Sequence, residues 1–113
     1  MTEQVLNTEL LNDYLDNLGH AVLEKMYALY CRQSAEYIEQ IADSIEQESQ
    51  SLWQERCHKM KGAAASAGLV ATHKHLVAIE KAANSRSDKL QQLQQLKQLN
   101  TEGTNAFNKW LTQ

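Results

Sequence analysis

Apolar positions recur along the chain in alternating steps of three and four, the spacing of one buried face on a helix. Leu23, Met26, Tyr30, Ser34, Tyr37, Ile41 and Ile45 form the longest stripe, broken only by its one serine. At 3.6 residues per turn it predicts an amphipathic rod of about seven turns beginning at His20. Ahead of it, Leu10, Leu11, Tyr14, Leu15 and Leu18 predict a short helix with Thr8 as its cap. Gly19 is placed to end that helix, because a residue without Cβ enters the left-handed region at little cost. Polar residues 46–51 break the long stripe, and Ser51 followed by Gln54 reads as a capping box for a third helix. The inward stripe of that helix is Trp53, Cys57, Met60, Ala64 and Ala67, and Gly68 is placed for a left-handed C-terminal cap. Thr72 is read as the start of a fourth helix with Leu76, Ile79 and Ala83 inside, and residues 84–87 as a loop. A last helix uses Leu90, Leu93, Leu96, Ala106, Phe107 and Trp110, with NTEGT at 100–104 as a kink or break.

Four sizeable amphipathic helices joined by short loops pack most simply as an antiparallel up-and-down bundle, with the first short helix across one end. The expected fold class is therefore all-α, a four-helix bundle with a short additional N-terminal helix, as one domain over residues 1–113. Composition agrees: the chain has no proline, four glycines and 6% aromatic residues. At 113 residues it can bury a modest core without metal or disulfide staples.

Charge and hydropathy narrow the function classes. Eleven basic against fourteen acidic residues leave a formal charge of −3, which argues against a broad basic face for nucleic acid and for protein partners instead. The opening MTEQVLNTEL has no basic-then-apolar leader pattern, and no run of about 18 apolar residues occurs, so a cytoplasmic location without membrane contact is expected. Cys31 and Cys57 lie among apolar residues and read as reduced, buried small hydrophobes, with a disulfide between them the alternative.

The candidate chemistry lies in CHKMKGAAASAGL, residues 57–69, where glycine, alanine and serine fill every position from 62 to 68. Each helical residue turns about 100°, so His58 sits just off the buried stripe and faces outward. Its neighbours on that face are Gln54, Glu55, Lys61, Gly62 and Ala65. Toward the C-terminal side the imidazole is thus flanked by almost no side-chain bulk, and a flat partner could press against it. The turn between helices three and four centres near residue 69, midway between 58 and 80. His58 and Glu80 should therefore lie level on adjacent antiparallel helices, each roughly 15 Å from the turn at 1.5 Å per residue. A carboxylate there can accept a hydrogen bond from Nδ1–H and leave Nε2 as the exposed nucleophile. Lys61, one turn beyond His58, and Lys59, directly next to the histidine, supply positive charge for an anion on that nitrogen. Such a set fits the carrying of a phosphoryl group. Val22 and Leu29, off the main stripe of their helix, are candidates for an apolar docking patch.

The segment HKMKGAAASAGL, followed by Leu76 and by AIE at 78–80, resembles the signature of histidine-containing phosphotransfer (HPt) domains. In that signature the histidine is followed by lysine at the third position, glycine at the fourth and another glycine at the tenth. The likeness extends over nearly the whole chain, and it is strongest to the phosphotransfer domain that ends hybrid sensor kinases of the anoxic redox control type. It implies that His58 is the phosphorylated residue, Lys61 the phosphate-side cation, Gly62 the clearance beside it and Glu80 the imidazole partner, with a less general role for Lys59. It further implies a reversible relay between receiver domains of a hybrid sensor kinase and of a response regulator, with Mg²⁺ held by the receiver and no cofactor on this chain. No glycine-rich nucleotide loop is present, so the carrier is not expected to phosphorylate itself from ATP or to act as an enzyme. A methionine at the start and the lack of an attached kinase suggest a free-standing carrier, monomeric so that the His58 face stays open.

Taken singly, each of these residues has a bland reading: a surface histidine, a solvated lysine, a tolerated helical glycine, a surface carboxylate. His20 lies at a helix start, and His73 and His75 diverge by about 200°, too far apart to share a metal. No metal site is expected, because a bundle metal centre needs Glu-x-x-His or similar spacing on facing helices. Tyr30, Tyr37 and Trp110 fit core positions. The alternative from a different class is a helical adaptor or inhibitor that binds a kinase or receiver without carrying phosphate.

Overall fold

The computed structural model describes residues 5–113, so residues 1–4 of the predicted domain lie outside the described residues. Five helices follow in order: α1 Thr8–Leu18, α2 His20–Glu46, α3 Gln50–Ser66, α4 Val70–Glu80 and α5 Arg86–Leu111. Helices α2 to α5 run up and down as an antiparallel bundle around one apolar core, as the stripes predict. All five residues of the α3 stripe are buried, and Trp53, Cys57, Met60 and Ala64 are wholly so. Trp53 also donates its indole N–H to the Ile79 carbonyl at 2.9 Å, tying α3 to the end of α4.

The α3–α4 turn is set by Gly68, which takes a φ of +77°. Its N–H bonds to the Ala65 carbonyl and the Leu69 N–H to the Ala64 carbonyl, a Schellman cap that uses the left-handed residue predicted there. The N-terminal segment pairs with this turn: Asn7 N–H bonds to the Gly68 carbonyl, Val70 N–H to the Val5 carbonyl, and Leu6 bridges Leu69. With Leu11 buried and the Tyr14 hydroxyl donating to the Ser66 carbonyl, α1 lies across this end of the bundle.

Several boundaries differ from the sequence expectations. The caps are Asn7 and Ser49 rather than Thr8 and Ser51, with Asn7 Oδ1 accepting from Leu10 N–H and Ser49 Oγ from Leu52 N–H. Helix α4 begins at Val70, so Thr72 is a buried helical residue and no cap. Helix α5 starts at Arg86 under the Ser85 cap and runs unbroken through 100–104. Asn100 is buried, accepting from the Tyr30 hydroxyl at 2.7 Å and donating to Ser34 Oγ at 3.0 Å, while Gly103 lets α5 approach Leu69. Ala83 falls in the α4–α5 loop and is exposed. Leu90 is exposed as well, because Lys89 takes the inward phase, its ammonium 5.4 Å from the Trp53 ring centroid and bonded to Gln50 Oε1. Leu18, the last residue of α1, is also exposed, since α1 covers the bundle end through Leu11, Tyr14 and Leu15. Tyr37 and Trp110 are half-buried at the margin of the core rather than inside it.

Both cysteines are free. Cys57 is buried, and burial together with the nearby Glu80 charge outweighs Lys89 and pushes its thiol up to about 12. Cys31 is only half-buried, against the expectation of a buried position. No helix among the described residues is long and apolar enough to cross a membrane.

Candidate functional site

The site sits on the flank of the α3–α4 hairpin. His58 and Glu80 are level on the two helices, as the turn arithmetic predicts: Nδ1 lies 2.8 Å from Glu80 Oε1. The two partners differ sharply in environment, with the imidazole 68% exposed and the carboxylate side chain 8% exposed. Glu80 accepts through both oxygens, Oε2 receiving the Lys61 ammonium at 3.2 Å. Burial alone would raise the Glu80 carboxyl, but the hydrogen bonds and charges of Lys61 and His58 overcome it and hold the group below the ordinary carboxylate range. An ionised carboxylate can only accept, so the hydrogen on the bonded imidazole nitrogen is at Nδ1. Nε2 then carries the lone pair and has no partner among the described residues.

Two hollows flank this imidazole. One, of about 410 Å³, is lined by Ser51, Gln54, Glu55, His58, Lys59, Glu80 and Lys81. The other, of about 380 Å³, runs between α2 and α3 and is lined among others by Met26, Leu29, Tyr37, Lys59, Gly62 and Ala63. A Cβ built at Gly62 meets nothing within 4 Å, so packing does not require this glycine, and its effect is to leave the α3 backbone open beside the groove. Val22 and Leu29 are both exposed on α2, with Leu29 on the groove wall and Val22 one turn before Met26. Ala65 is exposed on α3 and lines neither hollow.

Lys61 stands differently from the sequence expectation. Its side chain is 23% exposed and its ammonium rests on Glu80, a partner that expectation did not include. Lys59 is exposed and pairs across one turn with Glu55 at 3.5 Å. Lys81, which the sequence reading passed over, lines the same hollow as His58 and makes no ion pair among the described residues. Its signal was present: it directly follows Glu80 where α4 ends. The remaining histidines bond to backbone carbonyls: His20 to Leu111, His73 to Lys61 and His75 to Gln92. No group of three or more His, Cys, Asp or Glu among the described residues is placed to hold a metal ion.

The chain belongs to the Hpt domain family, whose sequence model matches residues 25–105. Its fold is similar to that of the solved histidine-containing phosphotransfer domain of ArcB from Escherichia coli, with a TM-score of 0.83, 18% identity, and 96% of this chain and 93% of that one covered. No curated protein matches the chain. Family membership gives the chain a histidine phosphotransfer role in a phosphorelay, with phosphorelay proteins as its partners.

Proposed function

We propose that His58 is the phosphoryl-bearing residue of a relay carrier that takes the group from a receiver phosphoaspartate and passes it to the aspartate of a second receiver. The supporting observation is the contrast within one hydrogen-bonded pair: a buried, ionised Glu80 holding Nδ1–H, and an exposed ring whose Nε2 is open. In this reading the Nε2 lone pair attacks phosphorus in line, the bond from phosphorus to the aspartyl oxygen breaks, and the receiver carboxylate is restored. Because Nδ1 keeps its hydrogen, the phosphorylated ring is an imidazolium, and Glu80 stabilises that charge. The same charge makes the ring a competent leaving group, so the transfer runs in either direction. Phosphoryl transfer is mainly positioning and charge stabilisation, and in this scheme the receiver contributes the Mg²⁺ and the remaining groups. The α2–α3 groove with Met26 and Leu29 is where the receiver would rest, Gly62 giving it access to the backbone, with the carrier acting as a monomer in the cytoplasm.

Incubation with a phosphorylated receiver is expected to place acid-labile, base-stable label on the wild-type chain and none on His58→Gln, with helical content unchanged. Equal labelling of the variant would sink the assignment. Binding to the receiver without any label would favour a non-phosphorylated adaptor.

A further inference from the structure

Two lysines closely follow His58 in the sequence, and the structure gives them different surroundings. Lys61 is engaged by Glu80 Oε2 in a largely shielded position, and moving it to a phosphoryl group would uncover half of the support of a buried carboxylate. Lys59 is held only by an exposed pair with Glu55 at 3.5 Å, the kind that contributes little in water and is readily exchanged. The hollow that His58 lines is also lined by Lys59 from α3 and Lys81 from the end of α4, and Lys61 is not part of its lining. Glu55 is the one carboxylate there besides Glu80.

We infer, on the footing of the carrier reading above, that Lys59 and Lys81 are the cations that face the phosphoryl group on His58 Nε2. Lys61 is instead a positioning residue that acts through Glu80. When a dianionic phosphoryl group enters the hollow, the Lys59 ammonium leaves Glu55 for the phosphoryl oxygens, and Lys81 approaches from the end of α4 without giving up an ion pair. Lys61 remains on Glu80, keeping that carboxylate ionised and its other oxygen on Nδ1. The division follows from which cations can move at small cost and which cannot. It also assigns Glu55 a tuning role, since it competes with phosphate for Lys59.

The test uses the full chain phosphorylated on His58 by phosphoramidate, a small donor that requires no docking. Phosphorus NMR follows titration of the phosphoryl group, and a nearby cation lowers its midpoint by favouring the dianion. Lys59→Ala and Lys81→Ala are each expected to raise the midpoint, and to shift the transfer equilibrium toward a receiver by about 3-fold each and about 10-fold together, effects that fade in high salt. Lys59→Arg and Lys81→Arg should restore both readouts, and Glu55→Gln should move them in the opposite sense. Lys61→Met is expected to leave the phosphoryl midpoint in place and to change the nitrogen NMR signals of the unphosphorylated His58 ring, with Lys61→Arg restoring them. A phosphoryl midpoint that moves with Lys61→Met and stays fixed in the Lys59 and Lys81 variants would overturn the inference while leaving His58 as the carrier. Failure of the wild type to take label on His58 would remove both together.

Discussion

Glu80 accepts from the His58 ring and the Lys61 ammonium on one helix while itself buried on the next, and its acidity records the balance. Burial acts to raise its carboxyl, and the bonds and charges of Lys61 and His58 lower it further than burial raises it. Between its depressed folded value and the ordinary value of 4.5, the unfolded chain binds more protons than the folded one, so stability rises with pH through that window. The contribution is complete above about pH 4.5 and is lost as pH falls through the folded value. Urea unfolding midpoints of wild type and Glu80→Gln should therefore differ most near neutral pH and converge on acidification. A gap that stayed constant from pH 6 to pH 3 would contradict the assignment of the acid limb to this carboxyl. Gly62 makes a second residue-scale case. With nothing within 4 Å of a built Cβ, Gly62→Ala is expected to stabilise the protein by about 0.5–1 kcal/mol through helix propensity alone. Gly62→Gln, bulky on the open groove, should slow transfer from a receiver far more than it alters the unfolding midpoint, and equal transfer rates would remove the clearance role.

At the scale of the elements, the glycine in α5 answers in the opposite direction. A Cβ at Gly103 falls 2.7 Å from Leu69 Cδ2 and 3.0 Å from its Cγ, and Leu69 is wholly buried at the α3–α4 turn. Gly103→Ala gains about 1 kcal/mol of helix propensity and is expected to lose about 1–3 kcal/mol to overpacking, a net fall in the urea midpoint. A rise would mean that Leu69 yields freely. This packing explains why α5 was the element least legible in the sequence. NTEGT scores as a break by local propensity, but its Asn100 is satisfied by Tyr30 and Ser34 on α2, 70 and 66 positions away, and its Gly103 by the close turn. Neither partner can be found from spacing along α5. The start of α4 was hidden for a similar reason: no side chain caps it, and the Val70 N–H is taken by the Val5 carbonyl of the N-terminal segment. The α3 stripe, in contrast, was fully legible, because burial there follows the helical period alone. The His58–Glu80 pair was legible for a related reason, since a tight hairpin fixes which residues lie level. The partner of Lys61 was not, because a four-carbon stem can reach either the carboxylate or the open nitrogen, and only packing selects between them.

For the molecule as a whole, the site and the end cap are separate in space and should be separable in energy. The segment from Val5 through α1 closes the end where the α3–α4 turn lies, burying Leu6 and Leu11 and supplying backbone bonds to Gly68 and Val70. His58 is about ten residues up the hairpin from that turn, roughly 15 Å along the helix, and it contacts Glu80 at the far end of α4. The family match itself begins at residue 25, beyond α1. Removing residues 1–11 deletes two buried leucines, each worth about 1.5–3 kcal/mol, and removes the backbone bonds to Gly68 and Val70. A loss of about 3–6 kcal/mol is a large share of the stability of a domain this size. The truncated chain is therefore expected to unfold at much lower urea and temperature. Well below its new midpoint it should still take phosphate on His58 at a rate close to that of the full chain, because the carboxylate, the ring and both hollows come from α2, α3 and the end of α4. A truncated chain that remained folded by circular dichroism yet lost labelling would show that α1 shapes the site through the turn, and would place the energetic boundary of the carrier at its N-terminal helix.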